Sequence, residues 1–353
     1  MKLLIVTQKI DVNDPILGFF HRWVEEFSKH CEKVTVICLE KGEYHLPENV
    51  KVLSLGKETF NIQHLTFNIF KKVRYSVTFL KYIWAERKNY DTVFVHMNQE
   101  YVLLGWKLWR LMGKKIMMWR NHPSGSPLTD LAVFLSDRVF CTSKYSYTAR
   151  FNKTEIMPVG IDAGSFKRKP EIKKIPNSIL FLGRISPIKK PDVLIGSLNL
   201  LSKEGVNFNA LMIGDPLPKD QNYYQEIKDS VKRYNLSQKI VFRSGITNKE
   251  TIEFYNRYEI LVNLSPNGMF DKTIFEAMAC ESISLTSNKN LIGEVDGAFI
   301  FEENDQQDLL FKLKNILTLS IKEKEESGKE LREYVLKKHG LDLLIRKIIT
   351  PVK

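Results

Sequence analysis

Short apolar runs alternate with amphipathic stretches along the chain. The first run, "KLLIVT", is rich in β-branched residues and precedes a loop with Asp14, Pro15 and Gly18 and then the helical pattern "FFHRWVEEFSKH". The pattern continues through "KVTVICL", "NVKVLSL", a helical span near 62–88, "DTVFVHM", a helix near 99–112, "KKIMMW", a helix near 128–136 and "DRVFCTS". Strands that read as continuous apolar runs between helices predict a parallel sheet covered on both faces.

Around 167–177 the sequence "KRKPEIKKIPN" turns charged and carries two prolines, the composition of an exposed connection between domains. Beyond it the alternation restarts with "SILFLG", a helix from about 189, "NALMIGD", a helix near 222–234, "KIVFRSG", a helix near 248–257, "EILVNLS", a helix near 272–280 and "SISLTS". The tail from about 306 reads as helices. The expected organisation is α/β: a doubly wound domain over 1–170, a second over 171–330 and C-terminal helices over 331–353 that pack back toward the first. Such sheets bind ligands beyond the carboxyl ends of their strands, so two facing domains would place the site in a central cleft.

Charge divides unevenly. Residues 1–170 hold 26 Lys and Arg against 16 Asp and Glu, and the rest hold 27 against 25, so almost all of the net +12 lies in the first part. That asymmetry makes the first part the expected docking surface for an anionic partner. The four cysteines, Cys31, Cys38, Cys141 and Cys280, form no Cys-x-x-Cys pair and sit in apolar stretches, which points to packed, reduced thiols. The opening apolar run is too short for a signal peptide, and "YVLLGWKLWRLMGKKIMMW" is broken by four cations, so neither a leader nor a span is expected and the chain reads as cytoplasmic.

Two segments carry chemistry. In "FLGRISPIKKPDVLI" a strand ends at Gly183 and is followed by Arg184, Lys189 and Lys190 before a helix, a grouping that suits a diphosphate or, alternatively, a solvated basic turn. In "LVNLSPNGMFDKTIFEAMACESISLTS" a strand ends at Ser265, a loop carries Asn267, Gly268, Met269 and Phe270, and a helix follows with Lys272 and Glu276. A carboxylate so placed can accept hydrogen bonds from a ribose diol, or serve only the helix dipole. The histidines are scattered, and no spacing suggests a metal site.

The pair "GRISPIKKPDVLI" and "SPNGMFDKTIFEAMAC", with "LMIGD" and "VGID", resembles glycosyltransferase family 4. The resemblance implies the GT-B fold, two facing Rossmann-like domains with a central cleft, and metal-independent, retaining transfer of a hexose from a nucleotide-diphosphate sugar, UDP- or GDP-linked, with no further cofactor. It implies that Arg184 and Lys189 hold the diphosphate and Glu276 the ribose. It also implies that Gly18 lets backbone approach the donor or acceptor, and that His122, after "KKIMMW", reaches the donor sugar or its phosphate. Gly18 otherwise reads as a turn glycine, and His122, like His96 and His21, as a structural histidine. The family's common Glu-x(7)-Glu pattern is broken, because Gly268 stands where the first Glu would be; Asp271 and Lys272 are the replacement polar groups. That break leaves an inactive nucleotide-sugar-binding scaffold as an alternative, beside a GT-B sugar-nucleotide epimerase.

On the acceptor side, residues 60–90 interleave Phe60, Phe67, Phe70, Tyr75, Phe79, Tyr82 and Trp84 with Lys71, Lys72, Arg74, Lys81, Arg87 and Lys88. This reads either as a helix that docks on the inner face of an anionic membrane, fitting a glycan or lipid-linked acceptor, or as core aromatics with solvated cations. No nucleic-acid motif accompanies the charge.

Overall fold

The computed structural model describes residues 1–14, 16–57, 67–266 and 268–350, with the side chains of 67–69 left aside. Two compact units result, Met1–Met157 with Leu344–Lys353, and Pro158–Leu343. The division thus falls ahead of the charged stretch at 167–177. That stretch is stitched into the second unit: buried Asn256 accepts from the Lys169 amide (2.6 Å) and donates to the Lys167 carbonyl (3.0 Å).

In the first unit the chain runs β1 (Lys2–Ile10), α1 (Gly18–His30), β2 (Lys33–Lys41), β3 (Val50–Ser54), α2 (Phe67–Ala85), β4 (Thr92–His96), α3 (Glu100–Leu111), β5 (Lys115–Trp119), α4 (Pro127–Leu135), β6 (Arg138–Cys141) and β7 (Thr154–Ile156). The sheet order is β3-β2-β1-β4-β5-β6-β7, with parallel pairing throughout. Leu3 to Val6 and Val93 to Val95 are fully buried because helices cover both faces, which is why these strands read as apolar runs rather than alternating ones. Each such side chain contributes about 1.5–3 kcal/mol by leaving water. Arg138 pairs with Glu155 (2.8 Å) and donates to the carbonyls of Lys347, Ile348 and Thr350, so a cation closes the C-terminal end of the last helix, α11 (Leu341–Ile349).

The second unit runs β8 (Ile175–Leu182), α5 (Pro191–Lys203), β9 (Asn209–Ile213), α6 (Gln221–Arg233), β10 (Ile240–Arg243), α7 (Asn248–Arg257), β11 (Tyr258–Asn263), α8 (Lys272–Ala279), β12 (Ile283–Thr286), α9 (Gln306–Thr318) and α10 (Ile321–His339). Its parallel sheet has the order β10-β9-β8-β11-β12. Local sequence fixes the helix starts: Thr247 and Glu250 form a capping box for α7, Ser320 and Glu323 one for α10, and Asp271 caps α8. In both sheets the strand order reverses once, between β1 and β4 and between β8 and β11, and a doubly wound sheet offers its ligand crevice at that reversal.

Candidate functional site

The loops after β8 and β11 meet at the second unit's reversal point. Strand β8 is followed at once by Gly183, with φ +156°, whose amide donates to the Ile213 carbonyl (3.0 Å). Gly214, at the end of the adjacent β9, has φ +148°, and a Cβ there would lie 1.9 Å from the Gly183 carbonyl oxygen. Only glycine permits this close approach of two chains. Buried Ile185 then anchors the turn, leaving Arg184 exposed with no hydrogen bond or ion pair among the described residues. Ser186 follows, buried with its Oγ unpartnered among the described residues, and a single 3₁₀ turn at Pro187–Lys189 leads into α5.

Lys189 reaches across to the loop after β11. Its Nζ donates to Ser265 Oγ (2.7 Å) and to Asp271 Oδ2 (2.5 Å). Asp271 also accepts from Ser265 Oγ (2.8 Å) and, through Oδ1, from the Thr273 amide and hydroxyl, while Asn263 bonds both Thr273 Oγ1 and the Ser265 amide. Burial works to raise the Asp271 pKa. The charge and hydrogen bond of Lys189, with the donors Ser265 and Thr273, outweigh it and hold the carboxyl well below the usual range. Neighbouring Lys190 is engaged elsewhere, with Glu303 (2.6 Å).

Gly268 has φ +113°, which explains why glycine replaces the expected Glu: a side chain at this position would be strained. Asn267 lies outside the described residues. Met269 offers its carbonyl to Asn288 Nδ2 (2.7 Å), and Phe270 packs edge-on against Phe275 (4.8 Å). Helix α8 carries Lys272 and, one turn on, Glu276. Glu276 is buried and turned toward α7, where Asn248 Nδ2 donates to Oε1 and Tyr255 OH to Oε2, both at 3.1 Å. Burial raises the Glu276 pKa and lowers that of Lys272. Lys189 therefore grips the residue that caps the helix bearing Glu276, so the loop after β8 is tied to the start of α8 through Lys189, Ser265 and Asp271.

The remaining candidates belong to the first unit. Gly18 opens α1, and its amide is bonded to the Asp14 carbonyl (3.0 Å); an added Cβ would crowd the Val12 carbonyl at 3.1 Å. His122 is exposed after β5, and its Nδ1 accepts from the Ser124 amide (3.0 Å). His96, by contrast, is buried, stacked on Phe20 (3.9 Å between centroids) and bonded to Thr7 (3.1 Å), a packed histidine. His21 is buried too, accepting from the His45 amide.

Sequence reasoning did not single out Gly214, Asn248, Tyr255 or Ser186. Gly214 had a signal in the "LMIGD" run, since a glycine ending an apolar strand often marks close backbone approach. Asn248 and Tyr255 have none, because their role depends on how α7 is rotated against α8.

Comparison with known proteins fits this geometry. Residues 162–335 match the family model for glycosyl transferases group 1. The D-inositol 3-phosphate glycosyltransferase of Kineococcus radiotolerans is 23% identical over 147 residues, which cover 38% of this chain and 34% of that protein, so the match spans about a third of the relative's length. Among solved structures, the Anabaena protein HepE in complex with UDP and glucose is similar over 99% of this chain and 98% of its own, with a TM-score of 0.74 and 16% identity. Sucrose-phosphate synthase from Thermosynechococcus elongatus is similar over 99% and 97%, with a TM-score of 0.77 and 15% identity. A Rickettsia africae glycosyltransferase is similar over 99% and 97%, at 0.73 and 17%. The chain has the GT-B fold, and its second unit matches the model for glycosyl transferases group 1.

Proposed function

We propose that the chain is a retaining glycosyltransferase that moves a hexose from a nucleotide-diphosphate sugar to a glycan or lipid-linked acceptor. The observation that supports this reading best is the arrangement at the β8/β11 reversal: Arg184 is exposed with no hydrogen bond or ion pair among the described residues, and Lys189, on the same loop, is tied to Ser265 and Asp271 of the loop after β11. In this reading Arg184 and Lys189 neutralise the diphosphate as negative charge builds on the leaving oxygen, with no metal ion needed. Glu276, oriented by Asn248 and Tyr255, accepts from the ribose hydroxyls through its remaining lone pairs. The backbone of the half-buried loop at Met269 and Phe270 serves the donor sugar. The bond from the sugar C1 to the phosphate oxygen breaks, its electrons stay with the phosphate, and the acceptor oxygen bonds to C1 from the same face. The acceptor proton passes to the leaving phosphate.

The test is to incubate UDP- and GDP-hexoses with wild type and Arg184→Ala, with and without acceptor extracts, and to resolve the products. Release of nucleoside diphosphate by wild type and its loss in the variant are expected. Equal inactivity of both points to the scaffold, and an epimerised nucleotide sugar without release points to the epimerase.

A further inference from the structure

Helix α2 has two apolar faces, and folding covers only one. Phe79 and Ile83 are fully buried, with Tyr75, Leu80 and Tyr82 packed partly around them. Phe70, Val73, Val77 and Trp84 form a second stripe at spacings of three, four and seven residues, and all four are exposed, Phe70 at 77%. A helix that merely covers a sheet needs one such stripe and a polar outer side.

The stripe continues onto its neighbours. The crossovers β3-α2-β4, β4-α3-β5 and β5-α4-β6 advance in one direction across the sheet, and right-handed connections put all three helices on one side of it. One buried cluster accordingly contains residues of α2, α3 and α4, and α3 touches both others. Helix α3 exposes Leu104 and, at its last position, Leu111 (84%). Helix α4 exposes Leu128, Leu131 and Phe134 (74%) at spacings of three. Three adjacent helices thus turn large apolar side chains outward together, whereas scattered single ones would need no explanation.

Charge identifies the occupant. Residues 67–120 hold 11 Lys and Arg against three acids, and one of those acids, Glu86, is buried and held by Lys51 and Asn89. The side chains of Lys72, Lys81 and Lys88 are exposed with no ion pair or hydrogen bond among the described residues, and Arg87 lies over the Trp84 ring at 4.6 Å. A second copy of the chain would bring the same cations against these, so self-association meets repulsion. No helix among the described residues is long and apolar enough to cross a bilayer. Apolar side chains flanked by cations fit the boundary between acyl chains and anionic headgroups. We infer that α2, α3 and α4 form one platform that docks the chain onto an anionic phospholipid surface, with a docking area larger than the 60–90 segment alone. The inference does not rest on sugar transfer, since docking is measured without any donor.

The full chain should co-sediment with vesicles of phosphatidylcholine and phosphatidylglycerol, bind pure phosphatidylcholine vesicles far less, and detach as salt rises. Phe70→Glu, Leu111→Glu and Phe134→Glu, one from each helix, should each weaken binding by about fivefold and together by more than about a hundredfold, with an unchanged melting temperature and unchanged donor turnover on soluble substrates. Tryptophan emission should shift to the blue on mixed vesicles, and Trp84→Phe should remove most of the shift, because Trp23, Trp109 and Trp119 are buried already and Trp106 on α3 is half-buried. Loss of binding from Phe70→Glu alone, with Leu111→Glu and Phe134→Glu silent, would overturn the three-helix platform. So would vesicle binding indifferent to all three variants, no binding at all, or concentration-dependent self-association that the same variants abolish.

Discussion

The two units share a topology and use it differently. Both sheets are parallel and both reverse strand order once, yet the ends of the reversing strands are filled with opposite chemistry. At the end of β4, His96 lies among Phe19, Phe20, Trp23 and Phe94, and neighbouring Trp119 meets Trp23 edge-on (5.1 Å). At the ends of β8 and β11 a glycine pair thins the backbone, and the polar chain Asn263–Thr273–Asp271–Ser265–Lys189 holds the loops in register. The topology alone therefore does not make a site. The residues at the strand ends decide whether a reversal is filled with packed rings or with glycines and paired charges.

Substitutions at the two reversals should expose this contrast. The largest effect is expected from Gly214→Ala, because the new Cβ meets the Gly183 carbonyl at a φ that suits only glycine. Denaturant unfolding should show a loss of about 3 kcal/mol or more. Glu276→Ala strands the buried Tyr255 hydroxyl and the Asn248 amide, and should lower stability by about 2–3 kcal/mol as well as weaken donor binding.

Asp271→Asn keeps a cap for α8 but removes the charge opposite Lys189, and should cost about 1–2 kcal/mol near neutral pH. The wild-type carboxyl titrates below its ordinary 3.8, so its contribution is complete above that pH and is lost as pH falls below it. Unfolding followed from pH 5 downward should fall more steeply in wild type than in Asp271→Asn. The smallest effect belongs to the first unit's reversal: His96→Phe preserves the ring stack and removes only the bond to Thr7, about 1 kcal/mol, and donor binding should not change. A large loss of donor binding there would break the contrast.

Much of this was legible in the chain itself. The doubly wound fold follows from apolar runs such as "LLIV" and "ILFL", which make sense only when buried on both faces. Arg184, Lys189 and the Gly268 loop were legible because each follows the end of such a run. What the sequence did not reveal depends on angles between elements that are distant along the chain. The Lys189–Asp271 pair needs β8 beside β11, and Glu276 faces α7 because of the rotation of α8. The outward stripe on α4 was hidden because Leu128, Leu131 and Phe134 resemble core residues until burial shows that Ala132 and Val133 take that role.

The proposed sugar transfer depends most on Arg184 and Lys189 holding a diphosphate at the second unit's reversal. Calorimetric titration of UDP and GDP into wild type and Arg184→Ala tests it most directly. Saturable binding of one nucleotide by wild type, weakened at least about tenfold in a variant of unchanged melting temperature, is the predicted result. Equal affinity in the two proteins, or binding of neither nucleotide to wild type, would contradict it.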